Sequence, residues 1–140
     1  MKLLFILVAV GLLWFISFLH IYWAFGGRWG SAVVLPVKEG EHKPAFTPRT
    51  GGTLFVAILI LMASVIIVVQ GGYLQGFQAN SLSKIGSIVC ALVFIIRAIG
   101  DFKFVGFFKK IKHSQFARYD TWFYSPLCLF FGFVYIMLLF

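Results

Sequence analysis

Apolar positions along this chain gather into four long runs, separated by stretches rich in glycine, proline and charge. Residues 3–25 form the first run, interrupted only by Ser17 and His20. Residues 53–69 form the second and carry no charge. The third, 85–99, holds Arg97 near its end, and the fourth covers about 121–140. An α-helix rises 1.5 Å per residue, so about 20 residues cross a hydrocarbon core of about 30 Å. The first and fourth runs reach that length unaided. The second and third reach it with flanking Gly51, Gly52, Gln70, Ser83 and Lys84. The spans expected are about 3–25, 51–70, 83–101 and 121–140, within a single domain covering 1–140. In lipid every backbone N–H and C=O needs a partner inside the protein, which a helix supplies locally. Four strands are too few to close a membrane barrel. The pattern therefore predicts an all-α fold, a four-helix transmembrane bundle with antiparallel neighbours.

Breakers fall between the runs. Gly26, Gly27, Gly30, Pro36, Gly40, Pro44 and Pro48 separate the first two, and 38–48 is the most polar part. Gly71, Gly72, Gly76, Asn80 and Ser81 make a short second turn. Pro126 is expected in the first turns of the last helix, where its missing N–H costs least. The first run, 23 residues long, exceeds the roughly 7–15 of a signal-peptide core, so it is expected to remain as a span.

Composition agrees with this picture. Hydrophobic residues make up 61% and charged residues 11%, against roughly 45–50% and about 25% in soluble proteins. So few charges cannot cover the surface of a small soluble domain, which excludes that class along with disordered chains and disulfide scaffolds. The net charge of +8 has a simple source. Nine lysines and arginines fall in the first and third loops, and only Lys2 and Lys84 lie on the side of the termini and middle loop. The positive-inside rule then puts the first and third loops in the cytoplasm and both termini outside, in a multi-pass protein of the cell membrane. No basic recognition element for nucleic acid accompanies the charge. Cys90 and Cys128 would differ in depth by roughly 10 Å, beyond the reach of a disulfide. With no C-x-x-C spacing, they read as two reduced thiols packed like small apolar residues.

Folding the chain back and forth brings the unusual polar residues to one end. His20, Tyr22 and Trp23 close the first span, and Thr50 and Thr53 open the second. Arg97 and Asp101 close the third, and Asp120, Tyr124 and Ser125 open the fourth. Arg97 and Asp101 are four apart, as are Asp120 and Tyr124, so each pair shares a helical face. An arginine facing lipid costs about 2.5–3.5 kcal/mol at mid-span, and less near an end where it can snorkel. Arg97 is thus expected to face inward, neutralised by Asp101, Asp120 or both. The plainest role for such a network is to fix register and orientation. Trp23, Trp29, Trp122 and Tyr124 also suit an interfacial aromatic belt. His20, His42 and His113 show no metal-binding spacing, so neither metal nor cofactor is expected. Gly86 with Cys90, and Ser87 with Ala91, put small residues four apart, a spacing suited to close helix packing. Along 102–116, Phe104, Phe107, Phe108 and Ile111 mix with Lys103, Lys109, Lys110 and Lys112. That segment could lie in the headgroup plane with its lysines on anionic lipid headgroups; an ordinary basic loop fits equally well.

Three ordered motifs resemble those of a family of small bacterial four-span integral membrane proteins of unknown function. The first is His20-Ile21-Tyr22-Trp23-Ala24-Phe25-Gly26-Gly27-Arg28-Trp29-Gly30. The second is Gly100-Asp101-Phe102-Lys103 with Gly106-Phe107-Phe108. The third is Phe116-Ala117-Arg118-Tyr119-Asp120 followed by Tyr124-Ser125-Pro126-Leu127-Cys128. The resemblance covers nearly the whole chain. It implies a membrane-embedded helical domain and no particular reaction.

Three functions fit these residues. The preferred one is a non-enzymatic membrane protein that binds a small molecule, a lipid headgroup or a protein partner at the polar end. His20, Trp23, Arg97, Asp101, Asp120 and Tyr124 would make the contacts. The second is a small-solute or ion transporter or channel built as a homo-oligomer, against which the second span offers no polar track. The third is a membrane-embedded enzyme acting on a lipid-soluble substrate, with His20 and Asp120 as the acid–base candidates. No nucleophile-plus-base spacing supports that reading.

Overall fold

In the computed structural model, which describes residues 1–30, 35, 49–100, 106–109 and 115–140, each apolar run becomes a helix. Helix α1 covers Lys2–Ala24, α2 Thr50–Gln70 and α3 Ser81–Ile99. The last span, Phe116–Leu139, is built from a short α4 (Gln115–Tyr119), a π-helical turn (Asp120–Tyr124) and α5 (Ser125–Leu139). All four spans are long and apolar enough to cross a membrane, and the described residues contain no strand. The fold is an all-α four-helix bundle. Helix α1 packs chiefly on α2, and α3 chiefly on α5, while contacts between α2 and α3 join the two pairs.

The buried face of α3 is made of small residues, while its large apolar side chains face outward. Ser83, Ser87, Ala91 and Ala98 form the buried stripe of α3, whereas Leu92, Val93 and Ile96 face outward. Lipid gives apolar side chains no drive to leave the surface, so association rests on close packing and interhelical hydrogen bonds. Both are present. Gly132 of α5 lies so near α3 that a Cβ there would sit 2.9 Å from Ile95 Cγ1, and one on Gly86 would sit 3.0 Å from Ile66 Cδ1 of α2. Ser17 Oγ donates to Ala57 O at 2.8 Å, and Trp14 Nε1–H to Ser64 Oγ at 3.0 Å, joining α1 to α2. The buried Tyr135 hydroxyl donates to Ala63 O at 2.6 Å, joining α5 to α2. At the far end from the basic loops, Asn80 and Ser83 cap α3 reciprocally. There Ser83 Oγ donates to Gln70 Oε1 at 2.7 Å, and Gln70 Nε2 donates to Leu138 O at 3.4 Å. Cys90 and Cys128 are free thiols.

One boundary differs from the expected spans. The fourth span begins near residue 116 rather than 121, with α4 and the π turn preceding α5, and Pro126 falls in the first turn of α5 as expected. Proline lacks an N–H and crowds the preceding turn. Directly upstream the turn widens, and Ser125 N–H reaches back five residues to Asp120 O. Most of the lysine-rich segment 102–116 lies outside the described residues; 106–109 form a turn tucked against the end of α3.

Candidate functional site

Helix α3 stops at Ile99 because Gly100 adopts φ +91°, a conformation that side chains disfavour. Arg97 therefore sits in the last turn, where the helix dipole favours a cation. The chain comes back at Gly106, and Phe107 N–H donates to Ala98 O at 2.8 Å. Gly106 holds φ +87°, and a Cβ on it would overlap Ile99 O and Gly100 Cα. Only glycine allows this approach. It aims the Gly106 N–H at Asp120, on the neighbouring span.

Asp120 is wholly buried and its carboxylate is filled. Oδ1 accepts from Arg97 Nη2 at 2.8 Å and from Ser125 Oγ at 3.3 Å. Oδ2 accepts from Gly106 N–H at 2.6 Å and pairs with Lys109 Nζ at 3.2 Å. A carboxylate offers about four acceptor positions, so Asp120 is committed to these donors. The Lys109 ammonium also donates to Gly106 O at 3.0 Å and to Thr121 Oγ1. Isolated buried ions cost several kcal/mol each after relaxation, so mutual pairing is what makes the cluster tolerable.

Among the described residues, charge within the cluster does not balance. Two cations meet one anion, and Asp120 is the only acid among the described residues. The Arg97 side chain remains 32% exposed. Its Nη2 is spent on Asp120, whereas Nη1 is buried and has no hydrogen-bond partner among the described residues. A buried donor left unpaired is unusual and costly.

The residues expected to share one layer divide into two groups. Arg97 meets Asp120, one of the two acids expected for it. Asp101, Lys103, Lys110 and Lys112 lie outside the described residues. Lys109 was expected at the headgroups; instead its side chain is 1% exposed and turns inward. The reason is that three oxygens, from Asp120, Gly106 and Thr121, meet its three donors inside the protein. Tyr124 stacks among Phe116, Tyr119 and Phe123, and the π turn brings Ser125 rather than an α-spaced neighbour onto the carboxylate.

His20 and Trp23 belong to a separate cap on α1. His20 Nδ1–H donates to Ile16 O at 2.8 Å, and its ring meets Trp23 edge-on at 5.3 Å. Trp23 Nε1–H donates to Trp29 O at 2.7 Å, and Trp29 N–H donates to the Tyr22 hydroxyl at 3.3 Å. Gly27 fits beneath the Tyr22 ring, which any Cβ would overlap. Residues 25–30 thus fold into a turn that ends the first span, packed on Tyr22 and Trp23 of its last turn. Sequence reasoning missed Gly106, Lys109 and Thr121 around the carboxylate. The one signal available was Pro126, six residues after Asp120, which marks a distorted turn.

Fold and site together define a multi-pass helical membrane protein with a buried Arg–Asp–Lys cluster at one bundle end. The chain belongs to the family described as "Protein of unknown function (DUF3995)", whose model matches residues 13–135. No curated protein and no solved structure matches the chain. Two of the three motifs noted in the sequence meet at the Gly106–Asp120 contact.

Proposed function

We propose that this membrane protein binds an anionic group at the end of the α3–α5 pair, with Arg97 as the contacting residue. The observation that carries this reading is Arg97 Nη1, buried and without a hydrogen-bond partner among the described residues, beside a cluster whose described members carry one positive charge in excess. Asp120 and Lys109 act as braces, since their own donors and acceptors are satisfied by the protein. The bundle interior is filled by side chains such as Leu13, Ile67, Phe131 and Tyr135, which favours binding at the end over conduction through one chain. The test is thermal unfolding in a neutral detergent with a panel of anionic amphiphiles and soluble phosphates, sulfates and carboxylates. At least one class is expected to raise the unfolding midpoint. Arg97→Lys keeps the charge and one bond to Asp120 but removes the second amino group, and the response is expected to fall. If no anionic compound moves the midpoint, the reading fails.

Nine lysines and arginines against two support a cytoplasmic position for this end, with both termini outside the cell membrane. A reporter active only in the cytoplasm is expected to be silent when fused after Phe140. Activity there would reverse the orientation.

A further inference from the structure

We infer that the anion is the phosphate of a lipid headgroup, taken sideways from the bilayer leaflet at this end; the inference rests on the anion-binding reading above. Three observations carry it. The first is what lies beside the guanidinium. Val93, four residues before Arg97 and on the same helical face, is 57% exposed, and Ile96 is 62% exposed. The approach to Arg97 along α3 is therefore apolar and lies within a membrane span, ground for an acyl chain rather than for a hydrated ion.

The second is depth. Trp122 is 81% exposed and stands two residues from the buried Asp120 that holds Arg97. Exposed indoles settle at headgroup level, and two helical residues change depth by only about 3 Å. The guanidinium thus lies near the plane of the phosphates. The third is the fork of the arginine itself. Nη2 is anchored on Asp120 and the buried Nη1 has no partner among the described residues, so a small shift of the 32%-exposed side chain would let the group bridge a carboxylate and a phosphate. A monoanionic phosphate would also offset the single excess positive charge carried by the described members of the cluster. An amphiphile alone meets all three conditions, with its chains on Val93 and Ile96 and its phosphate on Nη1.

The experiment compares melting of the purified full chain in dodecyl maltoside with added phosphatidylglycerol, phosphatidylcholine or water-soluble glycerol 3-phosphate. Phosphatidylglycerol is expected to raise the midpoint by about 5 °C, phosphatidylcholine by less, and glycerol 3-phosphate not at all. Arg97→Lys is expected to lose the increment specific to phosphatidylglycerol. Val93→Glu gives a second route, should that variant fold poorly. It puts a carboxylate one turn before Arg97, claims the guanidinium internally and repels phosphate, so the increment is again expected to vanish. Lys84→Gln, at the other end of α3, should retain it. An equal rise with glycerol 3-phosphate overturns the lipid inference and leaves anion binding standing. No rise with any anionic compound overturns both. A phosphatidylglycerol increment that survives Arg97→Lys and Val93→Glu places the lipid elsewhere and overturns the inference.

Discussion

Asp120→Asn is expected to destabilise the protein by about 3–5 kcal/mol, the cost of removing one partner from a buried ion cluster. Two cations depend on this carboxylate, and Lys109 is almost wholly buried beside it. The amide is nearly the same size, so the loss is electrostatic rather than steric. Whichever way the amide turns, its NH₂ group faces donors: Arg97 and Ser125 on one side, Gly106 N–H and Lys109 on the other. Thermal or denaturant unfolding in detergent, followed by tryptophan fluorescence, measures the effect. Adding Lys109→Met to Asp120→Asn removes one of the stranded cations. The double variant should lose clearly less than the sum of the two single losses, as coupled sites do. A loss below about 1 kcal/mol for Asp120→Asn, the scale of an exposed pair, would show that the cluster does not hold this end together.

Gly106→Ala is expected to cost about 2–4 kcal/mol, joining the left-handed backbone penalty to the loss of a charge-assisted hydrogen bond. The added methyl would overlap Ile99 O and Gly100 Cα, which are main-chain atoms and cannot swing away. Relief requires the turn to lift, which takes the Gly106 N–H off Asp120 and the Gly106 carbonyl off Lys109. Gly26→Ala is the control. Gly26 has φ +92°, but nothing lies within 4 Å of a Cβ there, so only the backbone penalty of about 1–2 kcal/mol applies. Equal losses in the two variants would mean that close approach at Gly106 contributes nothing. A larger loss at Gly106, with a weakened response to anions, ties the turn to the site.

The helical spans were legible along the chain because a run of about twenty apolar residues needs no distant partner to become a membrane helix. The approximate depth of each polar group followed from the same arithmetic, and with it the expectation that Arg97 faces an acid. The buried small residues Ser87 and Ala91 were readable too, from their spacing alone.

Sideways neighbours were another matter. His20 and Arg97 come at corresponding ends of their helices, yet α1 packs chiefly on α2 and α3 on α5, so His20 joins a tryptophan cap while Arg97 meets Asp120. Lys109 is the same residue type as Lys110 and Lys112. Its inward turn is decided by the return of the chain at Gly106, a contact between segments that residue type cannot reveal. Ser125 reaches Asp120 because a π turn adds one residue to the usual spacing. Which segments cross the bilayer was thus determined by the sequence alone, since transfer into hydrocarbon is a property of each segment by itself. The charge cluster was decided by tertiary structure, because pairing of ions depends on ångström-scale distances that only the packed helices and their connecting turn set.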